Sequence, residues 1–136
     1  MVTDSGSTFY FYDPAGDAPP DRRFPFAMLA TNDAYDRASQ LDRPEVFRLN
    51  VGVSRETYRS LFDQQAPRAG EDGIVDTGHD FTELDRIMPH PLYAPQFWVC
   101  VLNPSEETFQ DVRPLLAEAY GRAVSRHARQ RPAGAS

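Results

Sequence analysis

Arg48 and Asn50 are the polar members of a strict alternation, Phe47-Arg48-Leu49-Asn50-Val51-Gly52-Val53. If Leu49 and Val51 point into a core, a period of two sends Arg48 and Asn50 to the opposite face and to solvent. Tyr10 and Tyr12 share one face of the aromatic segment Thr8-Phe9-Tyr10-Phe11-Tyr12, and Trp98 or Phe97 must face the same way on a later apolar run. His90 and Tyr93 lie in a proline-stiffened loop that feeds that run. An arginine, an asparagine and several aromatics on one platform could hold a small anionic or planar ligand, or a protein partner. The competing reading is that whatever takes the role of a missing N-terminal helix, or a dimer partner, simply covers this face.

Three other constellations compete with the platform. Arg122, Arg126 and Arg129 are spaced to share a helix face, and phosphate contacts need clustered arginines. Arg122 to Arg129 also close a helix that opens with Glu106, Glu107 and Asp111, the distribution that complements a helix dipole. Asp76, His79, Asp80 and Glu83 recur at i, i+3, i+4 and i+7, but Gly78 breaks the run, and one histidine with carboxylates is a weak ligand set. No metal and no cofactor is expected. Cys100, between Val99 and Val101, lacks the positive charge and exposure of a reactive thiol. With no convincing acid/base pair and no nucleophile motif, the residues favour a non-enzymatic binding or interaction domain.

Composition narrows the classes further. The 136 residues carry fourteen basic and twenty acidic side chains, a net charge of −6 that repels nucleic acid at long range. All the basic residues are arginine. A small nucleic-acid-binding protein is therefore the alternative reading, and DNA binding is not expected. One cysteine, and no apolar run long enough to span a membrane, point to a cytoplasmic protein with no membrane partner. Nine phenylalanines, six tyrosines and one tryptophan suffice for one core.

The elements that must position these residues follow from pattern. Thr8–Tyr12, Phe26–Thr31, Phe47–Val53 and Phe97–Leu102 read as strands, and residues 32–46 as loop or one weak turn of helix. Ser54 caps a helix holding Tyr58, Leu61 and Phe62. Residues 63–80 form a long polar connection. Asp80-Phe81-Thr82-Glu83 has the form of a capping box, predicting a short helix through Met88 that Pro89 ends. Asn103 caps the last helix with Pro104 at its first position, and Pro114 either kinks that helix or splits it. The order predicts a single α+β domain over residues 1–130, with about four antiparallel strands and helices packed on one face, followed by a disordered tail at 131–136.

Tyr12-Asp13-Pro14, Asp21-Arg22-Arg23-Phe24-Pro25-Phe26, Leu41-Asp42-Arg43-Pro44 and Asn103-Pro104-Ser105-Glu106 resemble the recurring segments of a family of small bacterial proteins of unknown function. The likeness covers most of residues 8–128. More distantly, the element order, Trp98-Val99 and the Leu116–Tyr120 stretch are similar to the MmcQ/YjbR-like family, whose fold resembles that of frataxin/CyaY. That likeness implies a YjbR-like sheet, here with the opening helix missing. It also suggests DNA binding, but Asn50 stands where a basic residue is usual, and Tyr93-Ala94-Pro95-Gln96-Phe97 replaces a basic stretch.

Overall fold

The computed structural model of the chain describes residues 2–4, 7–13, 25–33, 36–62, 74–75 and 79–130. Six strands form one fully antiparallel sheet: β1 (Val2–Asp4), β2 (Ser7–Tyr10), β3 (Ala27–Ala30), β4 (Arg48–Gly52), β5 (Met88–Pro89) and β6 (Trp98–Leu102). They lie in the order β1-β2-β3-β4-β6-β5. The two helices are α1 (Arg55–Phe62) and α2 (Glu106–Gln130). The α+β architecture expected from the pattern is present. The sheet gains two strands over the expected four, because β1 pairs with β2 as a hairpin and β5 pairs with β6 at the other edge. Pro89 is accommodated because β5 is an edge strand, where one side of the backbone needs no ladder partner.

Register explains which side chains meet. Tyr10, Ala27, Val51, Val99 and Pro89 align across the sheet in one row, and Phe9, Met28, Asn50, Cys100 and Met88 in the next. Successive rows point to opposite faces. Val51 and Val99 pack with Val53, Tyr58 of α1 and Leu115 and Ala119 of α2. Both helices therefore cover that face. Val112, Leu115, Ala119 and Ala123 are the buried stripe of α2, and Phe109 is exposed. Pro114 stands within a continuous helix, exposed and away from that stripe.

The second face is also covered. Met28, Ala30, Met88, Cys100 and Leu102 form a separate apolar cluster with Leu41, from the segment read as loop. That segment is braced by its own side chains. Asp33 accepts from the Leu41 N–H at 2.7 Å, and Arg43 donates to the carbonyls of Gln40, Ser39 and Thr82. A sheet buried on both faces puts polar residues of its central strands into the interior.

Three local expectations are corrected. The short helix after Asp80 does not form. Asp80 instead accepts from the Thr82 N–H and hydroxyl, a local turn that competes with helix, and Asp85 turns the chain at φ 60°. Asn103 is not the cap of α2. At φ 42° its side chain accepts from the Phe47 N–H and donates to the Glu45 carbonyl, both at 2.9 Å. Ser105 is the cap, its hydroxyl accepting from the Thr108 N–H at 3.1 Å. The tail at 131–136 and most of the 63–80 connection lie outside the described residues.

Candidate functional site

The row Phe9-Met28-Asn50-Cys100-Met88 and the adjacent Arg48 form the floor from which the site is built. Arg48 and Asn50 are each only 1% exposed. The expectation that they reach solvent is thus overturned. Their strand alternates as predicted, but residues 36–41 close over the face to which they point.

Burying Arg48 requires a partner, and Asp36 supplies it. The guanidinium engages both carboxylate oxygens, Nη1 to Oδ1 at 3.0 Å and Nη2 to Oδ2 at 2.6 Å. Its Nη1 also donates to the Ser39 hydroxyl at 3.1 Å, and its Nε to Asn50 Oδ1 at 2.9 Å. Burial would push the Asp36 carboxyl up, but hydrogen bonds and charge from Arg48 outweigh it and hold Asp36 below the ordinary carboxylate range. The pair is therefore ionised and internally neutral.

Asn50 is committed on one side only. Its Oδ1 accepts from Arg48, which fixes Nδ2 as the free end of the amide. Nδ2 is buried with no hydrogen-bond partner among the described residues, flanked in register by Met28 and Cys100. An unmet buried donor costs roughly 1–3 kcal/mol. His90, also 1% exposed, presents a second donor. Its Nδ1 accepts from the backbone N–H of Leu92 at 3.1 Å and of Tyr93 at 3.0 Å, so the neutral ring carries its proton on Nε2. Burial, aided by the Arg48 charge and opposed by Asp36, pulls the imidazole down to about 3. His90 is a fixed neutral donor at physiological pH, and a poor proton shuttle.

These groups line a cavity of about 270 Å³, together with Phe9, Pro25, Met28, Leu92, Tyr93 and Trp98. Tyr93, 52% exposed, forms its lip, with the ring 4.9 Å from that of His90. Trp98 forms an end wall. Its indole lies over Gly52, where an added Cβ would stand 3.1 Å from Cε2. Five of the residues expected on a platform, Arg48, Asn50, His90, Tyr93 and Trp98, thus gather around one pocket.

The other two do not. Tyr10 belongs to the helix-covered row with Ala27 and Val51, and Tyr12 packs edge-on against Tyr120 and His127 of α2. Phe9 takes the place expected of the tyrosines. Asp36 and Ser39 were missed. The sequence signal available was only one of several acids and a serine in a polar stretch without periodicity, 12 and 9 residues before the arginine they meet.

Arg122, Arg126 and Arg129 line a shallow groove on α2 with Glu118, Gly121 and Ser125. Glu118 is engaged elsewhere, accepting from the Ser54 N–H and the Thr57 hydroxyl at 2.7 Å each. Cys100 is buried, and burial pushes its thiol up to about 12. Among the described residues no group of three or more metal-ligating side chains is assembled, and Asp76 lies outside them. No described helix is long and apolar enough to cross a membrane.

No curated protein and no solved structure matches the chain. A family model does, over residues 1–132, nearly the whole length. The chain accordingly belongs to DUF6194, a family of unknown function, in keeping with the first of the two resemblances in its sequence.

Proposed function

We propose that this protein is a non-enzymatic binding domain that takes a small planar molecule in the pocket between Asn50, His90, Tyr93 and Trp98. The observation that supports it best is the unpartnered Asn50 Nδ2, a buried donor at the wall of a cavity. His90 Nε2–H is a second donor on the same cavity, and the aromatic walls suit a flat ring. Because Asp36 already neutralises Arg48, the pocket prefers a neutral ring with hydrogen-bond acceptors over an anion. A catalytic reading is disfavoured because His90 stays neutral near neutral pH and both Asp36 oxygens are taken up by Arg48, whose charge also makes the carboxylate a weak base. At about 270 Å³ the cavity lies just below the usual ~300–1,000 Å³ range of ligand pockets, which suits one ring system.

The test uses Trp98, the one tryptophan of the chain, as a built-in reporter. Titration with nicotinamide, benzamide and pyrimidinone fragments should give saturable changes in its emission. Tyr93→Ala, at the exposed lip, should weaken them at least severalfold without altering the thermal midpoint. Unsaturable emission changes with every fragment would contradict the proposal.

Nucleic-acid binding through Arg122, Arg126 and Arg129 is the second reading, favoured by their collection on one groove. The net charge of −6 opposes it. A gel-shift series at physiological salt with low-micromolar protein should show no shift. A shift that weakens steeply with added salt would favour this reading instead.

A further inference from the structure

Trp98 is also a wall of a second concavity. It is about 390 Å³, lined by Pro25, Phe26, Gly52, Gln96, Trp98, Ala119, Arg122 and Arg126. Pro25 and Trp98 line both, so the two adjoin at the indole. Their chemistry differs. The first offers two neutral donors, Asn50 Nδ2 and His90 Nε2, between aromatic walls, with its charges cancelled internally. The second offers two guanidinium groups one helical turn apart. Neither Arg122 nor Arg126 forms an ion pair among the described residues; Glu118, one turn before Arg122, feels its charge while its carboxylate oxygens accept from Ser54 and Thr57. Two arginines at one end and, at the other, the unpartnered Asn50 Nδ2 beside the His90 Nε2 donor are complementary to a single amphoteric molecule.

Building on the pocket reading, we propose that the natural ligand is a mononucleotide or a molecule of its chemistry: a planar, neutral heteroaromatic ring in the Asn50–His90 pocket, joined past Trp98 to an anionic arm held by Arg122 and Arg126. The ring's acceptor edge meets the two donors, and its face lies along the indole. The anion takes charge-assisted hydrogen bonds from the two guanidiniums, which are roughly twice as strong as neutral ones. Gly52 lies under the indole at the junction, where an added Cβ would stand 3.1 Å from Cε2 and the ring would have to give by a few tenths of an ångström.

The experiment titrates the protein, read by Trp98 emission and by calorimetry, with the four common ribonucleoside monophosphates, their nucleosides and inorganic phosphate. The nicotinamide and benzamide fragments serve as a pocket control. At least one monophosphate should bind at least tenfold tighter than its nucleoside, and phosphate alone should bind far more weakly than either. The double variant Arg122→Ala/Arg126→Ala, on the partly exposed face of α2, should bring monophosphate and nucleoside to equal affinity and leave nucleoside affinity unchanged. A matching thermal midpoint would establish that the variant folds. Equal affinities in the parent protein would overturn the anionic arm while leaving the pocket reading in place. Binding of fragments but of no nucleoside or nucleotide would overturn the ligand class and also leave the pocket reading. Silence from every probe, fragments included, would overturn both.

Discussion

Replacing Arg48 with Met tests the buried pair from which the pocket is built. Methionine keeps much of the aliphatic stem and removes the guanidinium. Asp36 then loses both of its contacts at 3.0 and 2.6 Å, and Asn50 Oδ1 and Ser39 Oγ each lose a donor. Breaking a buried pair by deleting one partner costs about 3–5 kcal/mol. The Asp36 side chain retains 10% exposure, so some water reaches it, and the cost should fall at the lower end, about 3 kcal/mol. For a chain of this size that is a thermal midpoint lower by roughly 10 °C. The loss depends on pH in a fixed direction. In the parent protein Asp36 titrates below its unfolded value near 3.8, so its stabilising contribution is present above that pH and is lost as pH falls through the lower, folded value. In Arg48→Met the lone buried carboxyl titrates above its unfolded value, so the variant suffers most at neutral pH and the gap narrows in acid. The double variant Arg48→Met/Asp36→Leu should recover most of the loss, since an apolar replacement of a buried pair is often neutral. Urea denaturation at pH 7 and pH 4, followed by Trp98 emission, measures all three. A single-variant loss under about 1 kcal/mol, or a gap that widens in acid, would refute the reasoning.

Three further outcomes follow from the same structure. Asn103→Ala should cost about 1–2 kcal/mol by denaturation, through lost hydrogen bonds to Phe47 and Glu45 and a left-handed backbone that alanine resists; Ser105→Ala, which removes the true cap, should cost about 1 kcal/mol. Cys100 should react with a thiol reagent at pH 8 only at the rate of global unfolding, because burial holds its thiol near 12, and it should react at once in denaturant. His90 is held down to about 3 against 6.5 unfolded, so its neutral form stabilises the fold above 6.5, and that contribution is lost as pH falls from 6.5 towards 3. In a pH series of denaturation midpoints, His90→Gln should flatten this acid limb.

What the sequence made legible, and what it hid, divides along the two faces of the sheet. The alternation of Phe47 to Val53 located β4 and the helix-covered face correctly, because Val51 and Val53 must be buried together whatever covers the other side. It could not show what that cover was. Residues 36–41 have no periodicity, and their role rests on Asp36 and Ser39 reaching an arginine 12 and 9 residues away. An arginine in an alternating strand reads as solvent-facing until that cover is seen. The aromatic strand was misjudged for a related reason. With aromatics at 9, 10, 11 and 12, both faces look apolar, and only the register with Met28 assigns Phe9 to the pocket. His90, Tyr93 and Trp98 were found because prolines fix their loop and the strand that follows is apolar throughout. The capping-box reading at Asp80 failed because an Asp–Thr turn uses the same residues for a local bond.

The central claim is that Asn50, through its unpartnered Nδ2, and His90, through Nε2–H, both donate to a ligand in one pocket. It is tested most directly by ¹H–¹⁵N NMR of the labelled protein during titration with the tightest-binding fragment. The account predicts that the Asn50 side-chain amide and the His90 Nε2–H resonances move together and saturate with one dissociation constant, with the Trp98 indole shifting in step. Saturable binding that leaves the Asn50 amide and His90 Nε2–H unmoved would contradict it.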